Sequence, residues 1–144
     1  MFPWKLREPA GVRPSRALLQ GILRELDVRA FVDDEGDLGC RADECRIYFF
    51  LAGPDQEVLR VQAVLDRRFD IDDKPWLLDL ADDWNRTRMF GKAYTSVGDD
   101  GRVVLCAEHA FDLGVPVERP VLVSMVRWWI SSLLRFASWA GERV

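Results

Sequence analysis

Apolar positions along the chain change their period several times, and each change marks an element. After Ser15, the residues Leu18, Leu19, Ile22, Leu23 and Leu26 recur at i, i+1, i+4, i+5 and i+8, while Arg16, Gln20, Arg24 and Asp27 take the opposite side. That spacing predicts an amphipathic helix, capped by the serine and resting on a sheet. From Val28 to Phe69 the turn clusters Asp34-Glu35-Gly36-Asp37, Ala42-Asp43-Glu44 and Gly53-Pro54-Asp55-Gln56 separate short segments around residues 29–33, 38–41, 45–52 and 58–66, which read as antiparallel strands. Ile47-Tyr48-Phe49-Phe50-Leu51 is nearly continuous in apolar character and predicts a central strand with both faces covered. In the last segment Leu59, Val61, Ala63 and Leu65 alternate with Arg60, Gln62 and Asp66 as in a strand, although Pro54-Asp55 also suits a helix start.

A second helix is predicted where Asp72 and Asp73 offer a cap and Pro75 suits the first turn. Trp76, Leu77, Leu80, Ala81 and Trp84 line one of its faces, and Asn85 suits its end. Residues 90–97 and 102–111 form a hairpin through Gly98-Asp99-Asp100-Gly101, and after the breaks at Gly114 and Pro116 a last helix runs from about residue 120 to 140. The order α-β-β-β-β-α-β-β-α, with strands in runs rather than alternating with helices, implies an α+β fold in which helices pack an antiparallel sheet. Residues 1–14, rich in Pro, Gly and Arg, read as a flexible tail and residues 15–144 as a single domain.

The last helix is unusual. On a helical wheel Arg127, Ser138, Ser131, Ser124 and Arg135 fall within about 80°, and nearly everything else is apolar. Leu122, Val126, Trp129, Leu133, Phe136 and Ala140 form the centre of a buried stripe. Val121, Met125, Trp128 and Trp139 lie on one flank, with Val123, Ile130 and Leu134 on the other. One sheet face cannot cover so wide an arc. Another helix of the same chain, a second copy or a client segment must complete it. Arg127 and Arg135 argue against a membrane span.

Basic residues number 20 and acidic residues 24, and the net charge of −4 excludes a general nucleic-acid binder that works by neutralising phosphates. The chain of 144 residues is long enough to bury a core without metal or disulfide. Its start, Met1-Phe2-Pro3-Trp4-Lys5-Leu6-Arg7-Glu8-Pro9, lacks the apolar run of a secretory signal, so a cytoplasmic protein is expected. The odd count of 3 cysteines agrees with reduced thiols.

Several segments together resemble the YbjN family, bacterial proteins described as sensory transduction regulators whose domain is similar in fold to type III secretion chaperones. The resemblance rests on residues 26–36 leading into Gly36-Asp37-Leu38, on Arg46-Ile47-Tyr48-Phe49, on Val58-Leu59-Arg60-Val61-Gln62, and above all on residues 77–94. That last stretch contains Leu80, then Trp84-Asn85-Arg86, then Lys92-Ala93-Tyr94. The likeness covers about residues 15–140, supports a strand at 58–66, and implies a homodimer with a protein-binding role and no catalytic residues to carry over.

Among candidate sites, Trp84 and Asn85 suit a structural role at the end of the second helix, together with Lys92 and Tyr94 as a family signature. Arg86, Arg88 and Lys92 could grip an acidic partner or a phosphate, but beside Asp79, Asp82 and Asp83 they serve equally to balance local charge. Cys40, Cys45, Cys106 and His109 have the count of a structural zinc site, and Cys40 and Cys45 would face each other across a four-residue loop, within disulfide reach. Against zinc, Cys106 and His109 are three apart in a strand and so point to opposite faces. Asp72/Asp73 and Asp82/Asp83 read as caps and a solvated helix face. The sequence lacks an EF-hand spacing, a phosphate-binding loop, a dinucleotide fingerprint and a nucleophile elbow, so neither enzyme nor cofactor is expected. The expected function is a non-enzymatic, homodimeric domain that binds a protein client through Met125, Trp128, Trp129, Ser132, Arg135 and Trp139. A thiol- or zinc-responsive sensor built on Cys40, Cys45, Cys106 and His109 is the competing expectation.

Overall fold

The computed structural model describes residues 11–144. The Ser15 hydroxyl accepts a hydrogen bond from Leu18 N at 3.1 Å and starts α1 (Arg16–Glu25), which buries Leu19, Ile22 and Leu23 on the face their spacing predicts. Strands β1 (Ala30–Val32), β2 (Leu38–Ala42), β3 (Cys45–Ala52) and β4 (Val58–Phe69) follow, each antiparallel to the one before. A 3-10 turn, Ile71–Asp73, leads into α2 (Lys74–Thr87), then β5 (Lys92–Val97), β6 (Val103–Asp112) and α3 (Arg119–Gly141). The α+β class and the element order are those expected from the sequence.

The strands of the described residues form one six-stranded sheet in the order β1-β2-β3-β4-β6-β5. Helix α2 carries the chain past the position of β6 to the outer edge, β5 runs along that edge, and β6 returns between β5 and β4. The end of α2 is therefore held beside an edge strand.

Burial alternates along β3, with Cys45, Ile47 and Phe49 buried and Arg46, Tyr48 and Phe50 half-buried. This corrects the expectation of two covered faces: the core cluster that α1, α2 and α3 build lies on one face of the sheet. On the other face, Tyr48 stacks with Phe50 at 5.8 Å and meets Phe31 edge-on at 6.0 Å, and the Arg60 guanidinium lies 4.8 Å over Phe50. Apolar character there serves aromatic packing, not a second layer.

Further differences are local. Strand β4 continues beyond residue 66 to Phe69 through a register shift between Val64 and Arg68. Asp73 precedes α2 in helical conformation and makes no side-chain cap bond, because the 3-10 turn feeds directly into the helix. Trp76 is exposed and touches Phe69 edge-on at 6.3 Å, while Leu77, Leu80, Ala81 and Trp84 are buried as expected. Of the expected tail, residues 1–10 lie outside the described chain, and Val12 is paired with Val117, its amide donating to the Val117 carbonyl at 3.0 Å.

Candidate functional site

The end of α2, the following loop and α3 meet around Trp84. Its indole Nε1 donates to the Gly91 carbonyl at 2.9 Å, and its ring lies 5.2 Å from both Phe136 and Trp139 of α3. Gly91 sits at φ +82, a left-handed conformation that favours glycine, and so the chain turns back against the helix there. This turn sets Phe90 edge-on against Trp128, with ring centroids 4.4 Å apart. The three pieces enclose a groove of about 270 Å³. Trp84, Phe90, Trp128 and Trp139 provide its aromatic lining, and Arg88, Ser131, Ser132 and Arg135 its polar lining.

Ser132 Oγ lies 3.3 Å from Nε2 of His109, which reaches up from β6. Burial holds the imidazole below its usual pKa, so it is neutral at pH 7. The Ser132 hydroxyl is the side-chain hydrogen-bond partner of His109 among the described residues. Arg86 is neutralised by Asp82, at 2.9 Å, and by Asp83. Arg88 is different: its guanidinium lies 5.1 Å over the Trp84 ring. Among the described residues neither Arg88 nor Arg135 has a carboxylate within ion-pair distance.

The helical stripe expected to bind a partner divides in two. Trp128, Ser132, Arg135 and Trp139 line the groove, and Met125, half-buried, packs on the core beside it. Trp129 requires a correction. It is 1% exposed, with its ring 4.3 Å from Phe111, and belongs to the protomer's own core, as its place at the centre of the buried stripe dictates. The flanks of α3 are also covered more fully than a sheet alone allows. Trp84 of α2 meets Trp139, Val123 is buried, and the turn between β2 and β3 lies near Leu134 and Ala137. Trp128 and Val121 remain exposed.

The zinc expectation is corrected too. Cys40 and Cys45 lie on the helix-covered face, Cys106 on the other face beside Tyr94, and His109 back on the first. The four do not converge, and among the described residues no group of three or more His, Cys, Asp or Glu could hold a metal ion. Burial, with Cys45 adding to it, pushes the Cys40 thiol up to about 11. Cys45 also rises to about 11, through burial and then Asp66 and Asp43, and Cys106 to about 12, again mainly through burial. Protonated thiols are poor nucleophiles and poor ligands. Cys45 pairs with Ala42 and Cys40 with Ile47, so the two cysteines are diagonal rather than opposite. Such diagonals lie about 7–8 Å apart, beyond comfortable disulfide reach.

The YbjN family model, described as "Putative bacterial sensory transduction regulator", matches residues 15–142. The chain belongs to the YbjN family. The crystal structure of YbjN, "a putative transcription regulator from E. coli", is similar in fold, with a TM-score of 0.78 at 16% identity over 93% of this chain and 96% of that one. A comparison with curated proteins gives no match.

The stretch that carries the YbjN likeness holds the sheet edge together. The Asn85 side chain exchanges two hydrogen bonds with the backbone of Ala93 in β5, a role other than the expected helix end, since α2 continues to Thr87. The Tyr94 hydroxyl accepts from Gln62 and donates to Glu108 at 3.1 Å, while Lys92 is exposed and in register with Glu108. Sequence reasoning missed Met89, Phe90 and Ser131 as groove residues. Phe90 reads as a strand start and Ser131 as part of the solvated sector, and only the turn at Gly91 brings the loop to α3.

Proposed function

We propose that this chain is a non-enzymatic regulatory domain that acts by binding protein, and that two copies associate through the amino-terminal half of the open flank of α3, where Val121 and Trp128 are exposed. The observation that carries the reading is the exposed apolar ridge where Trp128, 42% exposed, meets Phe90 beside Met89, 88% exposed. Ridges of this kind mark interaction sites when they stand on an otherwise charged surface. Val121, Met125 and Trp128 follow at steps of four and three, the spacing of a seam between two helices, while Ser132, Arg135 and Trp139 continue the row into the groove. The description of the YbjN family as regulators supports a role without catalysis. Among the described residues no helix is long and apolar enough to cross a membrane.

Sedimentation equilibrium tests the association. Wild type is expected to be dimeric at micromolar concentration, and Trp128→Ala to dissociate at least about tenfold more readily while keeping a cooperative unfolding transition. A monomeric wild type removes the dimer.

A further inference from the structure

We infer that the groove between the end of α2 and α3 takes an acidic, apolar segment of a partner protein, an aspartate or glutamate flanked by a large aliphatic or aromatic residue. This rests on the protein-binding reading above and adds the chemistry of the bound segment.

The volume comes first. About 270 Å³ is at the lower edge of the roughly 300–1,000 Å³ range of small-molecule pockets and gives room for one or two inserted side chains. Trp84, Trp128 and Trp139 line it with aromatic surface, so an inserted apolar side chain loses water against rings that lose little rotamer freedom on contact. Charge then selects among apolar segments. The whole chain carries a net charge of −4, yet the charged groups lining this groove are the guanidiniums of Arg88 and Arg135. Neither has a carboxylate partner among the described residues, whereas Arg86, two residues before Arg88, has two. Guanidinium is the group best matched to a carboxylate, and the hydroxyls of Ser131 and Ser132 supply further donors beside it. A lysine-bearing segment would meet like charge. The groove is thus selective for acid by attraction and against base by repulsion.

The test uses fluorescein-labelled peptides that alternate Asp or Glu with Leu or Phe, together with versions carrying Lys for each acid or Ser for each apolar residue, read by fluorescence anisotropy at low salt. The acidic apolar peptide is expected to bind wild type. Arg135→Gln and Arg88→Gln should each weaken it by about tenfold, and Arg127→Gln, on the solvated sector of α3 outside the groove, should leave it unchanged. Equal binding of acidic and lysine peptides overturns the acid preference and leaves the protein-binding reading standing. Binding of no peptide by a dimeric wild type overturns the inference alone, and by a monomeric wild type overturns both. Equal loss with Arg127→Gln, or full competition by free acetate, also overturns it, since either shows general charge attraction and not a groove for a peptide segment.

Discussion

The side-chain amide of Asn85 pairs with the backbone of Ala93 as a neighbouring strand would: Nδ2 donates to the Ala93 carbonyl at 3.0 Å, and the Ala93 amide donates to Oδ1 at 2.8 Å. Strand β5 lies at the sheet edge, so without this amide both backbone groups would lack a partner there. A helix thus closes part of an edge that would otherwise template aggregation.

Asn85→Ala is expected to lower stability by about 1–3 kcal/mol, the cost of a stranded donor and acceptor. Asn85→Asp keeps an acceptor for the Ala93 amide but turns an oxygen toward its carbonyl, and should also destabilise. Urea unfolding measures both. Wild-type midpoints for the two variants would remove the edge-closing role.

Trp128 and Trp129 are adjacent in sequence and opposite in duty. Trp129→Ala should cost about 3–5 kcal/mol, because its buried ring packs on Phe111 and leaves a cavity. Trp128→Ala should cost less, about 1–2 kcal/mol, since that residue is 42% exposed and packs on Phe90 at the surface. Denaturant melts of the two proteins should differ widely, and similar losses would contradict the division between core and ridge.

Acid should weaken the fold through His109. Burial lowers its pKa in the folded state below the usual 6.5, so the unfolded chain takes up the proton first as the pH falls. Stability is then fully present above about 6.5 and declines as the pH drops toward the folded value. His109→Gln, which keeps a hydrogen-bonding partner for Ser132, should flatten the decline in urea midpoint between about pH 7.5 and 5.5. A variant with the wild-type slope would assign the effect elsewhere.

The thiols should be slow. A shift from the ordinary 9.0 to about 11, as for Cys40 and Cys45, leaves about a hundredfold less thiolate, and burial restricts access further. With Ellman's reagent the native protein should react far more slowly than the protein in guanidinium, where all 3 cysteines should react together. A fast native phase would reopen the case for a thiol sensor.

Most of the fold was legible because its periods are unmixed. The Ser15 cap, the stripe of α1, the alternation of β4 and the buried line of α3 are each set by local spacing and reappear in the structure. Cys106 and His109 were separable by the two-residue period of a strand, which places them on opposite faces. Other features depend on what lies across the gap. Tyr48 and Phe50 look like core residues until the helices are known to cover a single face, and Arg67 and Arg68 look like a strand's end until a bulge carries β4 past them. At the site, the wheel gave Trp128, Arg135 and Trp139. It could not give Phe90 or Met89, whose approach depends on a turn and on the outward path of α2.

The placement of β6 between β4 and β5 also has a kinetic side. The ladders β1 to β4 and the β5–β6 hairpin each join neighbours in the chain, whereas β4 and β6 must find each other across the whole of α2 and β5. Joining them closes a long loop before most contacts reward it, and this seam is expected to form late. Helix α3 packs across both strands of this seam, so the aromatic recess that it lines together with Trp84 takes its final shape only once the seam has closed.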